Sequence, residues 1–485
     1  AQLIAATSDD SFSFTHDKIR EVLYEEINPI RRRRLHRHVA EGIERNRDKF
    51  VCTVEKLAHH YIQAGDHERG LQYAKQAAAE AQRVFAFDEA IAAYGRARDC
   101  AEALGLVAEQ LEQEEAIGEV YMLHGETVLA GEHFQRALDL ATDQTTRVRL
   151  QCQVAASLVT TGDERGLECL GEALEVLDPA TNPIETANAL STQARFHHLA
   201  GRHKKAIEIL LRATELVAPT VENNEVCTFA APIISQTYAY MAGAYQHYGL
   251  YDESNSWARR AVQFGEKHKV LYAEAAGYEF LGENAIHSGN FKEGLEYAAR
   301  EIEIAERLHS RERRAWAQLV VAQCSNFLGE TERAEQEFLS GIALGEAIGE
   351  FRVLMLLRSN LAVVQAKLGR HDEALKTVRE SLQRSSPKLL YTHFDSLRCL
   401  AEVHRHRDEW GEAEQVCQQA DELVSPTESR VSRLWLGPLH MDVLLAQDKR
   451  DEAREKLTAY EALVADCQSP RFTAEAARLK SVFFS

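Results

Sequence analysis

The stretch GEVYMLHGETVLAGEHFQRA, residues 118–137, describes a pair of helices joined by a turn. Gly118 and Tyr121 lie three residues apart, on one face of a first predicted helix. Gly125 can adopt the left-handed conformation that ends such a helix. A second packed stripe then follows at the spacing i, i+4, i+7: Ala130, Phe134 and Ala137. Because small residues let two helices approach closely and aromatic side chains fill the remaining gap, the stretch predicts a compact helix–turn–helix unit.

The same unit recurs along most of the chain. Its register is marked by the first small residue of each second helix: Gly70, Ala90, Ala130, Gly166, Ala206, Ser254, Gly294, Ala334, Ala374, Ala413 and Ala453. After a half-step of 20 residues, the markers are 36 to 48 residues apart, and most intervals are 40. Such a period predicts about eleven stacked units.

Turn and cap residues support this register independently. Glycines stand five residues before seven of the markers, where a helix needs a left-handed terminator: Gly65, Gly125, Gly201, Gly249, Gly289, Gly329 and Gly369. Asp-Glu pairs at 88–89, 252–253, 372–373 and 451–452 suit the positive end of a helix that begins there. Prolines are expected to stop four of the second helices: Pro179, Pro219, Pro387 and Pro426.

The combination of small residue, aromatic residue, turn glycine and Ala-aromatic-Ala stripe resembles the tetratricopeptide repeat. The resemblance implies an all-α fold, a right-handed superhelical solenoid of paired helices. We expect each pair to contact only its neighbours and to leave a long concave wall. The period of about 40 implies longer helices than in the common repeat of about 34 residues.

Composition sets further limits. The chain has 485 residues, a net charge of -19 and 45% hydrophobic residues, which predicts a foldable acidic protein whose solenoid makes no direct contact with nucleic acid. No run of about 18 apolar residues is present, so we expect no membrane partner. Nine cysteines without a C-x-x-C pair predict reduced core thiols and a cytoplasmic protein.

The first 50 residues differ in kind from the rest. FSFTHDKIREVLY, followed by RRRRLHRHVAEGIE, resembles the end of the winged-helix module in the signal-transduction ATPases called STAND proteins, which include large LuxR-type and AfsR-like bacterial regulators. His16-Asp17 matches their MHD-type motif, with Thr15 in place of methionine. The resemblance implies that His16 approaches the β-phosphate of bound ADP and helps to hold an inactive state.

Two alternatives stand beside that resemblance. His16 also reads as a partly buried residue at a helix start with no ligand. The chain lacks a G-x-x-x-x-G-K-[ST] phosphate loop, so we expect no cofactor in this chain, and we expect ADP or ATP on a nucleotide-binding domain upstream in the full-length protein. The basic cluster Arg31 to Arg34 reads as a phosphate contact, a solvated face or an interdomain salt-bridge surface.

The predicted organisation has three parts. Residues 1–50 are the C-terminal part of a winged-helix module, residues 51–470 are the solenoid, and residues 471–485 are a capping helix. The one 48-residue interval contains Pro219 and Pro232. It predicts either a hinge at residues 218–232 or a tolerated insertion.

Catalytic and metal sites are not predicted. The histidine pairs His59-His60 and His197-His198 are adjacent, and His404 and His406 are two apart, whereas metal ligands on one helix are usually three or four apart. No nucleophile elbow, H-E-x-x-H motif or glycine-rich dinucleotide loop is present. We therefore expect no enzyme activity in this chain.

The solenoid is expected to bind its partner on the concave wall. Counting from the repeat register, nine residues of first helices are predicted to face it: Arg195, His198, Gln246, His247, Glu279, Glu283, Gln323, Asn326 and Arg405. Their alternative role is ordinary polar surface. Together they predict a polar groove for a protein, a peptide, a small effector or another domain of the same protein.

The resemblance gives the predicted function. The chain is expected to be the sensor of a STAND-type ATPase that controls a nucleotide switch and an output domain, with transcription regulation as the output. Two other classes stay open: a stand-alone repeat scaffold for protein assembly, and the regulatory region of a kinase or nucleotide cyclase.

Overall fold

The computed structural model describes residues 4–8, 11–14, 17–46, 54–84, 86–124, 126–159, 162–348, 351–385 and 387–484. The chain forms two compact units, residues 1–150 and 151–485, and the division falls within a helix. His16 lies outside the described residues.

Unit 1, residues 1–150, begins with a β-hairpin. Strands β1 (Ile4–Ser8) and β2 (Ser11–Phe14) pair antiparallel, with Ile4 opposite Phe14 and a register shift between Ala6 and Ser8. The helices that follow are α1 (Asp17–Glu25), α2 (Pro29–Arg45), α3 (Val54–Gln63), α4 (His67–Arg83), α5 (Phe87–Leu104), α6 (Val107–His124), α7 (Thr127–Leu140) and α8 (Gln144–Val159), which continues into unit 2. The winged-helix assignment of residues 1–50 stays a prediction.

Unit 2, residues 151–485, continues as paired helices. They are α9 (Arg165–Val176), α10 (Pro183–Leu199), α11 (His203–Glu222), α12 (Ala230–Tyr248), α13 (Tyr251–His268), α14 (Leu271–Ser288), α15 (Phe291–Arg307), α16 (Arg311–Phe327), α17 (Thr331–Ile348), α18 (Phe351–Lys367), α19 (His371–Arg384), α20 (Leu390–His406), α21 (Trp410–Val424), α22 (Arg430–Ala446), α23 (Arg450–Cys467) and α24 (Pro470–Phe484).

The predicted repeat register is confirmed helix by helix. The eleven marker residues lie on eleven different helices, namely α4, α5 and every odd-numbered helix from α7 to α23. The half-step is real, because α4 packs against both α3 and α5. The fold is therefore an α-solenoid of tetratricopeptide type, preceded by one hairpin.

Close packing explains the small residues of the pattern. A β-carbon at Gly118 would lie 2.6 Å from Cε1 of Phe134, closer than carbon atoms approach each other, so only glycine fits there. The same relation joins Gly437 on α22 to Tyr460 on α23, at 2.6 Å from Cδ2. A ring from one helix thus covers bare backbone of the other, as the stretch 118–137 predicts.

The helices of unit 2 form an inner and an outer layer. Each even-numbered helix from α10 to α24 packs against the next even-numbered helix, whereas the odd-numbered helices pack mainly against their neighbours in sequence. Burial follows the same division. Helix α18 buries residues around most of its circumference, and α19 buries only the stripe Ala374, Val378 and Ser381.

Left-handed residues end the first helices, as predicted. Positive φ values of 74° to 85° occur at Gly201, Gly249, Gly289, Gly329 and Gly369, and Gly125 lies outside the described residues. In the last two units the same position holds Asp408 (φ 58°) and Asp448 (φ 61°). Aspartate tolerates this conformation better than most residues, so the turn survives without glycine.

One proline prediction is wrong. Pro219 does not stop its helix, because α11 continues to Glu222. Its missing N–H costs one hydrogen bond within the last turn, and the carbonyl of Pro219 still accepts from the N–H of Asn223. The long interval is therefore partly extra helix, and the loop 223–229 follows it. The hinge at 218–232 stays a prediction.

Several cysteines lie in the packed interior of the repeats, as predicted. Cys152, Cys324, Cys399 and Cys417 are free and buried, and burial raises the pKa of Cys324 to about 12.

Within the described part of the chain, every helix is too short or too polar to cross a membrane.

The turn geometry predicts opposite effects of one substitution at two sites. Gly369 has a φ of 78° and Gly171 lies inside α9, and at both an added β-carbon would meet no atom within 4 Å. Gly369→Ala should therefore destabilise the protein by about 1 kcal/mol through backbone strain alone. Gly171→Ala should stabilise it by about 0.5–1 kcal/mol. Thermal unfolding midpoints measure both, and shifts of the same sign would contradict this account.

Candidate functional site

The nine predicted groove residues all lie on inner helices of unit 2. They are distributed over α10 (Arg195, His198), α12 (Gln246, His247), α14 (Glu279, Glu283), α16 (Gln323, Asn326) and α20 (Arg405). Their role as a binding surface stays a prediction. Their surroundings differ from the expected open wall, because unit 2 curves back on itself: α12 packs against α22, and α14 packs against α24. The expectation that helix pairs contact only their neighbours is therefore wrong here.

The first joint of this closure connects the end of α10 to the start of α20 and to the loop before α22. The hydroxyl of Tyr391 donates to the carbonyl of His198 at 2.9 Å. The N–H of Glu428 donates to the carbonyl of Gly201 at 2.8 Å, and the carboxylate of Glu428 accepts from the N–H of Lys204 at 2.7 Å. These residues are 193 to 227 positions apart in sequence.

The second joint connects the end of α12 to α22 and α23. The guanidinium of Arg430 lies 4.4 Å from the ring centroid of Tyr248, a cation–π contact. Gly249 comes next, and a β-carbon there would lie 2.6 Å from Sγ of Cys467. Glycine is therefore required at this turn for two reasons: the backbone is left-handed, and a side chain would collide with Cys467 of a distant helix.

The third joint connects the end of α14 to the start of α24. The hydroxyl of Ser469 donates to the carbonyl of His287 at 2.7 Å, and the guanidinium of Arg471 donates to the carbonyl of Ile286 at 2.9 Å. The indole N–H of Trp435 donates to Nδ1 of His287 at 3.1 Å. In all three joints, the C-terminal end of an inner helix meets the N-terminal end of an inner helix five units further along: α10 meets α20, α12 meets α22, and α14 meets α24.

A histidine cluster lies at the first joint. The rings of His198, His203 and His247 have centroids 5.1 to 5.8 Å apart, and the ring of Tyr391 lies 3.9 Å from that of His247. Since the Tyr391 hydroxyl donates to a carbonyl, it must accept its second hydrogen bond from Nε2 of His203 at 2.8 Å. Nδ1 of each of the three histidines is buried without a hydrogen-bond partner.

These surroundings keep the imidazoles neutral. Burial, and then the charge of Arg195, lowers the pKa of His198 to about 4. Burial also lowers the pKa values of His203 and His247 well below 6.5. At the third joint, burial and then Arg471 lower the pKa of His287 to about 3.

An acidic cluster occupies α14 and α15. Glu279 forms an ion pair with Arg313, whose guanidinium also donates to the hydroxyl of Tyr272 at 2.8 Å. Burial, and then the neighbouring Glu279, raises the pKa of Glu283 to about 8. Glu301 is fully buried, its two oxygens have no hydrogen-bond partner, and burial raises its pKa well above 4.5. The cluster holds three carboxyl groups against one guanidinium and is therefore partly protonated at neutral pH.

A basic cluster in unit 2 consists of Lys367 on α18, Arg398 and Arg405 on α20, and Arg471 on α24. Arg398 pairs with Asp395 at 2.6 Å, and Arg405 pairs with Glu402 at 2.6 Å. Burial alone would raise the pKa of Glu402, but hydrogen bonds from His406 and Arg405 outweigh it and hold that pKa at about 2.

Two further cations of this cluster have neutral partners. Lys367 donates to the side-chain carbonyl of Asn326 at 2.8 Å, and burial lowers its pKa. Arg471 donates to a backbone carbonyl and lies 4.1 Å from the ring centroid of Trp435. Burial, and then the nearby Arg398, lowers the pKa of Arg471 to about 10.

The structure brings together some predicted groove residues and separates others. His198 and His247 share the histidine cluster, and Gln246 is buried and donates to the side-chain carbonyl of Asn284 at 3.1 Å. Gln323 is half-buried, and the guanidinium of Arg195 lies 5.5 Å from the ring centroid of Tyr240.

Sequence reasoning missed Tyr391, Lys367 and Arg471. The repeat register shows which helix face is inner, but it does not show which distant units come into contact when the array curves back on itself. The available signal was a tyrosine or arginine within the first two residues of α20, α22 and α24, namely Tyr391, Arg430 and Arg471.

Comparisons with known proteins agree with a repeat architecture. No family model matches the chain. Over 210 residues, 43% of the chain, it is 26% identical to Tetratricopeptide repeat protein 29 of Trypanosoma brucei brucei (strain 927/4 GUTat10.1), and the match spans 42% of that relative's length.

Three solved structures are similar to the chain. A Rap protein complexed with Competence and Sporulation Factor is 15% identical, with a TM-score of 0.45, covering 72% of this chain and 99% of that one. The Cut9-Hcn1 hetero-tetramer of the APC/C is 14% identical, with a TM-score of 0.44, covering 93% and 86%. The STAND protein PH0952 with a tetratricopeptide repeat sensor, from Pyrococcus horikoshii, is 15% identical, with a TM-score of 0.39, covering 87% and 57%.

The neutral histidines predict that the closure weakens in acid. Because their pKa values are lowered in the closed form, opened or unfolded chains bind more protons between pH 6.5 and about 4. The stability contributed by the cluster is therefore complete above pH 6.5 and is lost as pH falls through this window.

Amide hydrogen exchange measures the effect locally. The protection factor of the Glu428 amide, which bonds across the first joint, should fall between pH 7.5 and pH 5.0. The amide of Arg370, which bonds to Gln365 within one unit, is the matched control and should keep its protection. Equal changes at the two amides would show that the closure is not the pH-sensitive element.

Proposed function

We propose that this chain is the sensor of a STAND-type regulatory ATPase, and that unit 2 binds a peptide or small effector carrying a carboxylate group on its inner helices. Helical repeat arrays of this type commonly present such surfaces to partners. The observation that carries the proposal is the basic cluster, in which Lys367 and Arg471 have neutral partners in the described part of the chain.

Electrostatics favours an anionic ligand at this cluster. Arg398 and Arg405 are matched by Asp395 and Glu402, so the charges of the two remaining cations are uncompensated. The pKa values of both groups are lowered, first by burial and then by the charges of neighbouring arginines. A ligand carboxylate between them would form charge-assisted hydrogen bonds, each contributing about 1.5–3 kcal/mol. Neighbouring protein atoms partly desolvate the ammonium group of Lys367, but the residue as a whole is exposed and can be reached by a ligand.

The acidic cluster suits the other end of such a ligand. Glu279, Glu283 and Glu301 share one guanidinium, so a primary ammonium or guanidinium group from a ligand would let the protonated members ionise. A peptide carries an amine and a carboxylate, and it is therefore the ligand class that both clusters favour together.

The output of sensing is proposed from the resemblance of residues 1–50. Ligand binding in unit 2 would release ADP from a nucleotide-binding domain upstream, permit ATP exchange and activate an output domain that regulates transcription. The chain itself would act in the cytoplasm without catalysing a reaction. A plain assembly scaffold is the competing function, and it requires no nucleotide domain in the full-length reading frame.

The ligand proposal predicts a charge-reversal phenotype. The purified chain would be incubated with random heptapeptide pools bearing either free or amidated C-termini. The wild-type chain should enrich peptides with a carboxylate, and Lys367→Glu should weaken the selected peptides at least about tenfold, because a charge-assisted hydrogen bond is replaced by repulsion. Lys376→Glu, on the exposed face of α19, is the control and should bind as the wild type does. Equal binding by all three proteins would refute the site.

The switch proposal predicts a nucleotide phenotype for His16. In the full-length protein, His16→Ala should release ADP faster than the parent, because a hydrogen bond to the β-phosphate would be lost. The dissociation rate of a fluorescent ADP analogue measures this, with His38→Ala as the control. An unchanged rate would leave His16 as an ordinary residue at the start of a helix.

A further inference from the structure

Three histidines from two helices of unit 1 converge at one point. His36 lies on α2, and His59 and His60 lie on α3. One ring nitrogen from each lies within 4.8 Å of the other two, and Nδ1 of His36 is 2.8 Å from Nδ1 of His60. In the described part of the chain, this is the one group of three or more His, Cys, Asp or Glu residues with such a geometry.

The ring of His36 is held in a defined orientation. Its side chain is buried, and its Nε2 lies 2.7 Å from the hydroxyl of Tyr24. Nδ1 therefore points away from Tyr24 and towards α3. Histidine ligands of metals commonly use their second nitrogen in this way, because the outer hydrogen bond fixes the tautomer and the ring plane.

The two remaining histidines approach from the facing helix. Ring centroids are 5.1 Å apart for His36 and His60, 5.8 Å for His36 and His59, and 5.3 Å for His59 and His60. His59 is exposed and His60 is half-buried, so the cluster opens to solvent on one side. Neighbours on a helix diverge, but here the third histidine comes from another helix and its ring lies close to both.

From this arrangement we infer that His36, His59 and His60 form a binding site for a transition-metal dication, with Zn²⁺ as the expected ion and a water molecule as the fourth ligand. Zn–N distances of about 2.0–2.1 Å place the nitrogens of a tetrahedral site about 3.3 Å apart. The observed separations, from 2.8 Å to at most 4.8 Å, bracket that value. Three imidazoles with no carboxylate select Zn²⁺, Cu²⁺ or Ni²⁺ over Mg²⁺ and Ca²⁺.

A bound ion would fasten α2, the second helix after the hairpin, to α3, the first helix of the repeat array. His36 and His60 are 24 residues apart, and the ion would cross-link α2 and α3 across the segment that joins them. Arg32 is a charged neighbour of His36, and its guanidinium lies 4.4 Å from the ring centroid of Tyr24. Its charge disfavours a cation, so we expect reversible binding rather than a permanently occupied structural site.

The test uses the full chain, freed of metal with a chelator and titrated calorimetrically with ZnCl₂. We expect one saturable site per chain and no saturable binding of MgCl₂. Titration with Co²⁺ should give the visible absorption of a tetrahedral nitrogen site. His59→Ala, which alters an exposed residue, and His60→Ala should each weaken Zn²⁺ binding at least tenfold. Tyr24→Phe should weaken it less, because it removes only the orienting hydrogen bond.

His38→Ala provides the matched control. His38 lies on the same helix as His36, but its Nδ1 contacts the backbone carbonyl of Arg34 at 2.9 Å and not the cluster. This variant should bind Zn²⁺ as the wild type does. The inference is overturned if the wild type shows no saturable site, if His59→Ala and His60→Ala bind as tightly as the wild type, or if His38→Ala loses as much affinity as they do. Circular dichroism of each variant separates loss of a ligand from loss of the fold.

Discussion

An α-helix leaves unpaired carbonyl groups at its C-terminal end and unpaired amide groups at its N-terminal end, and the joints of unit 2 give partners to several of these groups. The carbonyls of Gly201, Ile286 and His287 accept from groups at the starts of α22 and α24. The helix dipoles favour the same pairing, because the partial charges at the two ends are opposite. The histidine cluster and Arg471 depend on this closure, since it places these side chains in buried surroundings.

The strength of the closure is suited to a reversible contact. Seven hydrogen bonds cross the first and third joints, and at about 0.5–1.5 kcal/mol each they contribute on the order of 4–10 kcal/mol. A ligand with micromolar affinity supplies about 8 kcal/mol, which is comparable. Apolar packing adds to these hydrogen bonds, because Tyr251 of α13 belongs to the same buried cluster as Val431 and Leu434 of α22. The buried cluster of Ala334, Phe338 and Leu357 includes no residue of the joints.

The sequence predicted local structure well because local structure is what its period encodes. Each predicted feature involves contacts inside one repeat unit of about 40 residues. This holds for the turn glycines, for the small residues beside aromatic rings and for the acidic residues at helix starts. The hydrogen bond between Tyr391 and His198 joins residues 193 positions apart, and no periodic signal specifies how far the array curves before it meets itself.

Other differences have local causes. Asp408 and Asp448, for which no prediction was made, hold the turn position that glycine holds in other units, because aspartate tolerates the left-handed region. Pro219 lies in a last helical turn, where its missing donor costs little. The histidine triad was missed because pairs were considered only along single helices.

Arg471 belongs both to the third joint and to the basic cluster, and this double role gives the closure a way to respond to a ligand. Its guanidinium donates to the carbonyl of Ile286, and its pKa is lowered by burial and by the charge of Arg398. A carboxylate bound near Lys367 would compete with that carbonyl for the same guanidinium. Binding and closure would then be linked through one side chain.

Because linkage is reciprocal, a ligand that weakens the joint by a given factor must bind the closed form more weakly than the open form by the same factor. A ligand that contacts Arg471 without drawing it away from Ile286 would shift nothing, however tightly it bound. Under the proposed function, the two states would therefore differ in the partner of Arg471, and sensing would exchange one backbone carbonyl for one carboxylate.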